Sequence, residues 1–156
     1  MTALKATRAQ EGVSAITTDN IGQPVLVDPY YTRAAGTGPA QNDTIEVGEL
    51  PPGYELLPEH CRVWGDELDS NASPTGTLHL GTADDADAII VSGALGNAAG
   101  FYVLEPAGAA LSTAYKLGIS DDARTIIATF PTAFATVVNA KTINFRLAYK
   151  ARQPTY

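Results

Sequence analysis

The sequence predicts an all-β fold, an antiparallel β-sandwich or jelly roll with an extended N-terminal arm. Short runs of β-branched and aromatic residues recur along the chain, separated by clusters of Gly, Pro, Asn and Asp that break both helix and strand. Residues 142–150 alternate with a clean period of two. Ile143, Phe145, Leu147 and Tyr149 share one face, while Thr142, Asn144, Arg146, Ala148 and Lys150 share the other, as in a strand buried on one side. No segment carries a 3.6-residue apolar pattern bounded by caps, and many short strands between turns build sandwiches.

Taken in order, residues 1–22 are polar and small, with apolar positions too sparse to define a buried face apart from a brief alternation at residues 13–16. They read as an extended arm, either a frayed terminus or a segment that orders on a neighbouring subunit. Residues 23–156 form the single sandwich domain. A short strand is expected at residues 23–27, and a surface loop where Gly36, Gly38 and Pro39 follow Tyr30 and Tyr31. Alternation at residues 43–47 predicts a strand, which Pro51, Pro52 and Gly53 turn into a second run over residues 54–68. Pro58 within that run marks an edge position or a bulge. Turn residues 69–74 lead to a strand at residues 75–81, and an acidic turn holds Asp84, Asp85 and Asp87. Residues 88–91 and 101–104 are further strands around a small-residue stretch, and residues 124–130 form a β-branched strand ending at Pro131. Residues 107–117 and 132–138 remain open between local helix and loop.

The chain has 156 residues, the size of one compact core. Its 45% hydrophobic and 17% charged content supports a globular fold rather than disorder. A net charge of −7 disfavours nucleic acid, whose phosphates require clustered Lys and Arg. One cysteine, Cys61, excludes an intramolecular disulfide and a multi-cysteine zinc module. No stretch approaches the roughly 20 apolar residues of a membrane span, and no signal-like segment opens the chain. The glycosylation-like triplets at Asn42 and Asn71 therefore read as chance.

His60 and His79 are the first candidates for a metal or a general base, and a sheet position explains both without chemistry. His60 and Cys61 are adjacent, so on a strand they point to opposite faces and do not share an ion. Asp84, Asp85 and Asp87 are the best calcium candidate, yet they lack the ligand order of a twelve-residue loop with a terminal Glu. Asp66, Glu67 and Asp69 form a similar group, read as a solvated turn. With Glu59 they supply carboxylates for glycoside hydrolysis, but Trp64 and a few tyrosines are a thin aromatic platform for sugar. There is no Gly-x-Ser-x-Gly elbow, and Gly36-Thr37-Gly38-Pro39 lacks the flanking strand and helix of a dinucleotide site. Lys5, Arg8, Arg33, Arg146, Lys150 and Arg152 are scattered basics, solvent-facing or interfacial. Tyr30 and Tyr31 are contact aromatics or loop packing. The expectation is a non-enzyme with no catalytic, cofactor-binding or metal site.

Four stretches carry a resemblance: the polar arm, residues 48–53 (GELPPG), residues 75–87 and residues 142–150 (TINFRLAYK). Together they resemble the small β-sandwich head decoration, or cement, proteins of tailed bacteriophages. The resemblance implies a virion structural protein that binds the outside of a capsid and ties its subunits together. Its implied partners are the major capsid protein and itself, as a trimer in preference to a dimer, with neither nucleic acid nor membrane. Its implied location is the capsid exterior, after synthesis in the host cytoplasm. The alternatives are a tail, connector or receptor-binding component of the same virion and, further off, a carbohydrate-binding module or carboxylate-dependent glycoside hydrolase.

Overall fold

A computed structural model describes residues 3–5, 24–33, 39–95, 101–107, 114 and 117–151. It is an all-β sandwich of two sheets. The strands are β1 (Ala3–Lys5), β2 (Pro24–Val27), β3 (Tyr30–Thr32), β4 (Thr44–Leu50), β5 (Tyr54–Leu56), β6 (Arg62–Asp66), β7 (Thr77–Thr82), β8 (Ile90–Ala94), β9 (Phe101–Leu104), β10 (Arg124–Thr132) and β11 (Thr142–Ala151). The first sheet runs β1-β4-β10-β7-β8, and the second runs β2-β11-β6-β9 with β3 and β5 also paired to β11. Every pairing is antiparallel except β1 with β4.

β11 is the axis of the second sheet. On one side it pairs with β2 and then β3, which Asp28 and Pro29 separate; the Phe145 N–H bridges the break to the Pro29 carbonyl at 2.9 Å. On the other side it pairs with β5 and β6, interrupted by a 3-10 turn over Pro58–His60. Proline lacks the ladder N–H, so each break falls where pairing would otherwise fail. This turn is what Pro58 makes of the expected irregularity.

Alternation fills the core. Ile143, Phe145 and Leu147 of β11 and Val63 of β6 face Ile45 and Val47 of β4, Leu78 and Leu80 of β7, and Ile126, Ala128 and Phe130 of β10, all essentially inaccessible to solvent. On β4 the buried residues step from Val47 to Leu50, which breaks the period of two. The register with β10 shifts there, between Ile126 and Ile127, so a β-bulge restores Leu50 to the interior. A second shift lies between Thr129 and Thr132. It accommodates Pro131 inside β10, which therefore continues past the residue expected to end it. Gly53 takes φ +75°, closing the turn from β4 to β5 in a conformation that side chains disfavour.

Residues 132–138 are not helical. Thr132 ends β10, and the rest run as irregular chain, bends and an isolated bridge between Asp69 and Val137. Of the expected arm, residues 3–5 form β1 on the edge of the first sheet, with Leu4 packed on the core. Residues 6–22, the alternation at residues 13–16, Gly36 and Gly38, residues 96–100 and most of residues 107–117 lie outside the described residues.

Candidate interaction surfaces

Strand register decides which side chains meet on the outer face of the second sheet. Tyr30 pairs with Asn144, Asn144 with Trp64, and Trp64 with Val103, so the four form one row across β3, β11, β6 and β9. At neighbouring strands about 4.8 Å apart, this row spans about 14 Å. Tyr30 is 41% exposed and Val103 51%. One pair along, Arg146 stands opposite Arg62, and Leu26, 54% exposed, lies opposite Ala148.

Two adjacent arginines repel unless something offsets the charge. Arg146 makes a bidentate pair with Asp28, Nε to Oδ1 at 2.7 Å and Nη2 to Oδ2 at 2.9 Å. This hydrogen bond holds the Arg146 pKa above its ordinary value. Both guanidinium groups also lie over the Trp64 ring, Arg62 at 5.1 Å and Arg146 at 5.7 Å from its centroid, within cation–π range. Further pairs flank the row: Lys150 with Glu55 at 2.8 Å, which raises the lysine pKa, and Lys141 with Asp66 at 3.9 Å. Arg146 and Lys150, expected as scattered basics, are thus ordered on one face.

The chemistry candidates separate. His60 stands 3.9 Å from Glu59, both solvent-exposed at the rim of an open depression that Leu26, Arg62 and Arg146 also line. Cys61 is buried beneath it, its Sγ accepting the Ala148 N–H at 3.5 Å. Burial raises the thiol pKa, the Ala148 N–H lowers it and the Glu59 charge raises it, for a net value of about 11. His79 lies on β7, 3.8 Å from Asp87. In the acidic turn the carbonyl of Asp85 accepts from Thr82 N–H, and its N–H donates to the Thr82 hydroxyl. Asp84 and Asp85 are exposed there. Among the described residues no group of three or more His, Cys, Asp or Glu is placed to hold a metal ion, and no helix is long and apolar enough to cross a membrane.

Asp69 corrects the reading of its group as a solvated turn, since it is completely buried. Its Oδ2 accepts backbone N–H groups of Thr75, Gly76 and Ala135 at 2.9, 3.0 and 2.9 Å, and its Oδ1 those of Thr136 at 2.8 Å and Asn71 at 3.4 Å. Burial alone would raise the carboxyl pKa, but the backbone donors outweigh it and bring it to about 2. Asp69 is therefore a structural knot tying residues 69–76 to residues 133–138.

No family model and no curated protein matches the chain. Among solved structures, a chain of the capsid of Ralstonia phage GP4 matches 98% of this chain over 99% of its own length, at 22% identity and a TM-score of 0.76. A chain of the cyanophage Pam1 capsid asymmetric unit matches 88% of this chain over 91% of its own, at 19% identity and a TM-score of 0.62. The sandwich described above is therefore a fold that this chain shares, nearly end to end, with chains found in two phage capsids.

Proposed function

We propose that this chain is a non-enzymatic structural protein of a phage virion that binds the outer surface of the capsid and stabilises it. The observation that carries the reading is the two-way match over 98% and 99% of chain length to a component of a phage capsid. Coverage of that kind likens the whole chain to the whole component, rather than one module of an enzyme to another. The geometry is in keeping with a mechanical role: among the described residues the one completely buried carboxylate, Asp69, is consumed by backbone N–H groups.

In this role a rigid sandwich presents its faces and loops to the lattice, and many copies make modest contacts add up. The major capsid protein is the partner, and a closed homotrimer is the form that fits a three-fold lattice position. Of the arm, residues 1–22, β1 stays on this chain's own first sheet, while the rest orders across a neighbour and adds buried area, less the entropy of ordering it. The test is light scattering coupled to size-exclusion chromatography, on the protein alone and after mixing with purified shells of the phage that encodes it. A stable oligomer that moves onto shells and delays their thermal disruption is expected. A chain that ignores shells defeats the proposal and leaves a tail, connector or receptor-binding role. Deleting residues 1–22 also removes the edge strand β1, so it should cost some stability and weaken shell binding while circular dichroism still reports a folded sandwich; loss of folding would refute the assignment of the arm.

A further inference from the structure

We propose that the outer edge of β9 pairs with β9 of a second copy of this chain, antiparallel and centred on Val103, so that the second sheets of the two copies join into one. β9 ends its sheet. It pairs with β6 on one side, and among the described residues no strand pairs with it on the other. Such an edge offers backbone N–H and C=O groups to any extended chain, and proteins blunt their edges with charge, proline or bulges. The other edges of this sandwich carry those devices. Lys5 stands in β1, Pro24 opens β2, Pro29 separates β2 from β3, Glu55 stands in β5, and the register of β8 against β7 shifts between Leu78 and Leu80. β9 carries none of them. Phe101 to Leu104 run in unbroken register with Asp66 to Val63, and Val103 is 51% exposed.

A second copy is the occupant that this edge fits. Copies of a chain with net charge −7 repel one another, so they meet at least cost where the surface is uncharged. Residues 88–104, which span β8 and β9, are the longest run in the sequence without Asp, Glu, Lys or Arg. The two strands lie against each other on one side of the sandwich, where a Cβ at Gly93 of β8 would meet the Leu104 side chain at 2.4 Å. Val91 of β8, 50% exposed, adds a second apolar side chain there. Opposed residues of an antiparallel pair share a face, so a strand paired with itself about a two-fold axis is centred on a residue and not between two. Centring on Val103 sets the two exposed valines together, with Tyr102 opposite Leu104 and Phe101 opposite Glu105, and no charge faces its like. The register with β6 then continues the outer row as Trp64, Val103, Val103, Trp64. A contact of this kind closes on itself and leaves neither edge open. The inference concerns the isolated chain and does not depend on the capsid reading; a trimer would be joined by it to the next trimer.

The experiment is sedimentation velocity of the full chain over a rising concentration series, with Val103→Lys and Val103→Glu at the proposed axis. Leu26→Lys is the control, because Leu26 is 54% exposed but stands on β2, across the same sheet from β9. A four-residue ladder is a small contact, so association is expected in the micromolar range. The wild type should approach an even multiple of 16.3 kDa. Val103→Lys and Val103→Glu should each weaken association by at least about ten-fold, since the new charge faces its own copy across the axis. An equimolar mixture of the two should recover it, Lys now facing Glu, and Leu26→Lys should leave it unchanged. Hydrogen exchange of the wild type should slow in residues 101–104 as the chain associates, a reading that needs no variant to fold. A wild type that stays monomeric overturns the proposal and leaves the edge to an extended segment of another protein. An odd multiple, association indifferent to both Val103 variants, a mixture no stronger than its components, equal weakening by Leu26→Lys, or exchange in residues 101–104 unchanged by association would each overturn it as well.

Discussion

Replacing Asp69 by Asn keeps the size of the side chain and removes its charge. The best placement of the amide puts its oxygen where Oδ2 stands, retaining the N–H groups of Thr75, Gly76 and Ala135. The NH2 group then faces the N–H groups of Thr136 and Asn71, donor against donor. Hydrogen bonds to a charged acceptor are worth about 1.5–3 kcal/mol each, and a buried donor left unpaired costs about 1–3 kcal/mol. Because the Asn71 contact is long, the sum is about 3 kcal/mol. In a chain of this length that lowers Tm by about 6–12 °C. Thermal unfolding at pH 7, followed by circular dichroism, measures it. The pH dependence gives a second reading. The folded carboxyl lies near 2 against an ordinary 3.8, so its stabilisation is complete above the ordinary value and is lost as pH falls through the folded one. The shift corresponds to about 2 kcal/mol, so the gap between wild type and Asp69→Asn should narrow by about that amount from pH 5 to pH 2. An Asp69→Asn protein within about 0.5 kcal/mol of wild type at pH 7, the range of an ordinary surface substitution, would refute the knot.

Ala140 takes φ +58°, so Ala140→Gly relieves a left-handed residue and should raise stability by about 0.5–1 kcal/mol, read by urea unfolding; a loss would contradict it. A Cβ at Gly65 would sit 2.3 Å from the Thr142 carbonyl oxygen and 3.0 Å from the Tyr102 hydroxyl, so Gly65→Ala should cost about 1–3 kcal/mol in the same assay. The Cys61 thiol, at about 11 against an ordinary 9.0, should react with maleimide about 100-fold more slowly in the folded than in the unfolded chain from ionisation alone; equal rates would show an open site.

What the sequence discloses depends on how far apart the interacting residues lie. β11 and β9 are legible because alternation and β-branching are properties of neighbours. β3 escapes, because three residues after Pro29 give no period to read. β10 is legible up to Pro131 but not through it, since the bulge that admits the proline is set by pairing with β7. Residues 132–138 are ambiguous for a related reason: they are held by a carboxylate 66 and 67 residues away, a distance no local pattern encodes. The outer face of the second sheet is half legible. Trp64 and Tyr30 are conspicuous as residue types, whereas the stacking of Arg62 and Arg146 on Trp64 exists only once β6 and β11 are in register.

The position of β11 also carries a consequence for biosynthesis. β2, β3 and β5 have their ladder partner in residues 142–151, and β6 has β9 besides. A ribosome makes β2, β3 and β5 more than eighty residues before the one they wait for. Until it emerges, Leu26, Tyr30 and Trp64 belong to unfinished edges, the kind of exposed apolar strand that recruits strangers. Pairing so distant in sequence is slow to form. Late release therefore makes the nascent chain a client for chaperones, and slower translation of the preceding stretch would lengthen that exposure rather than shorten it.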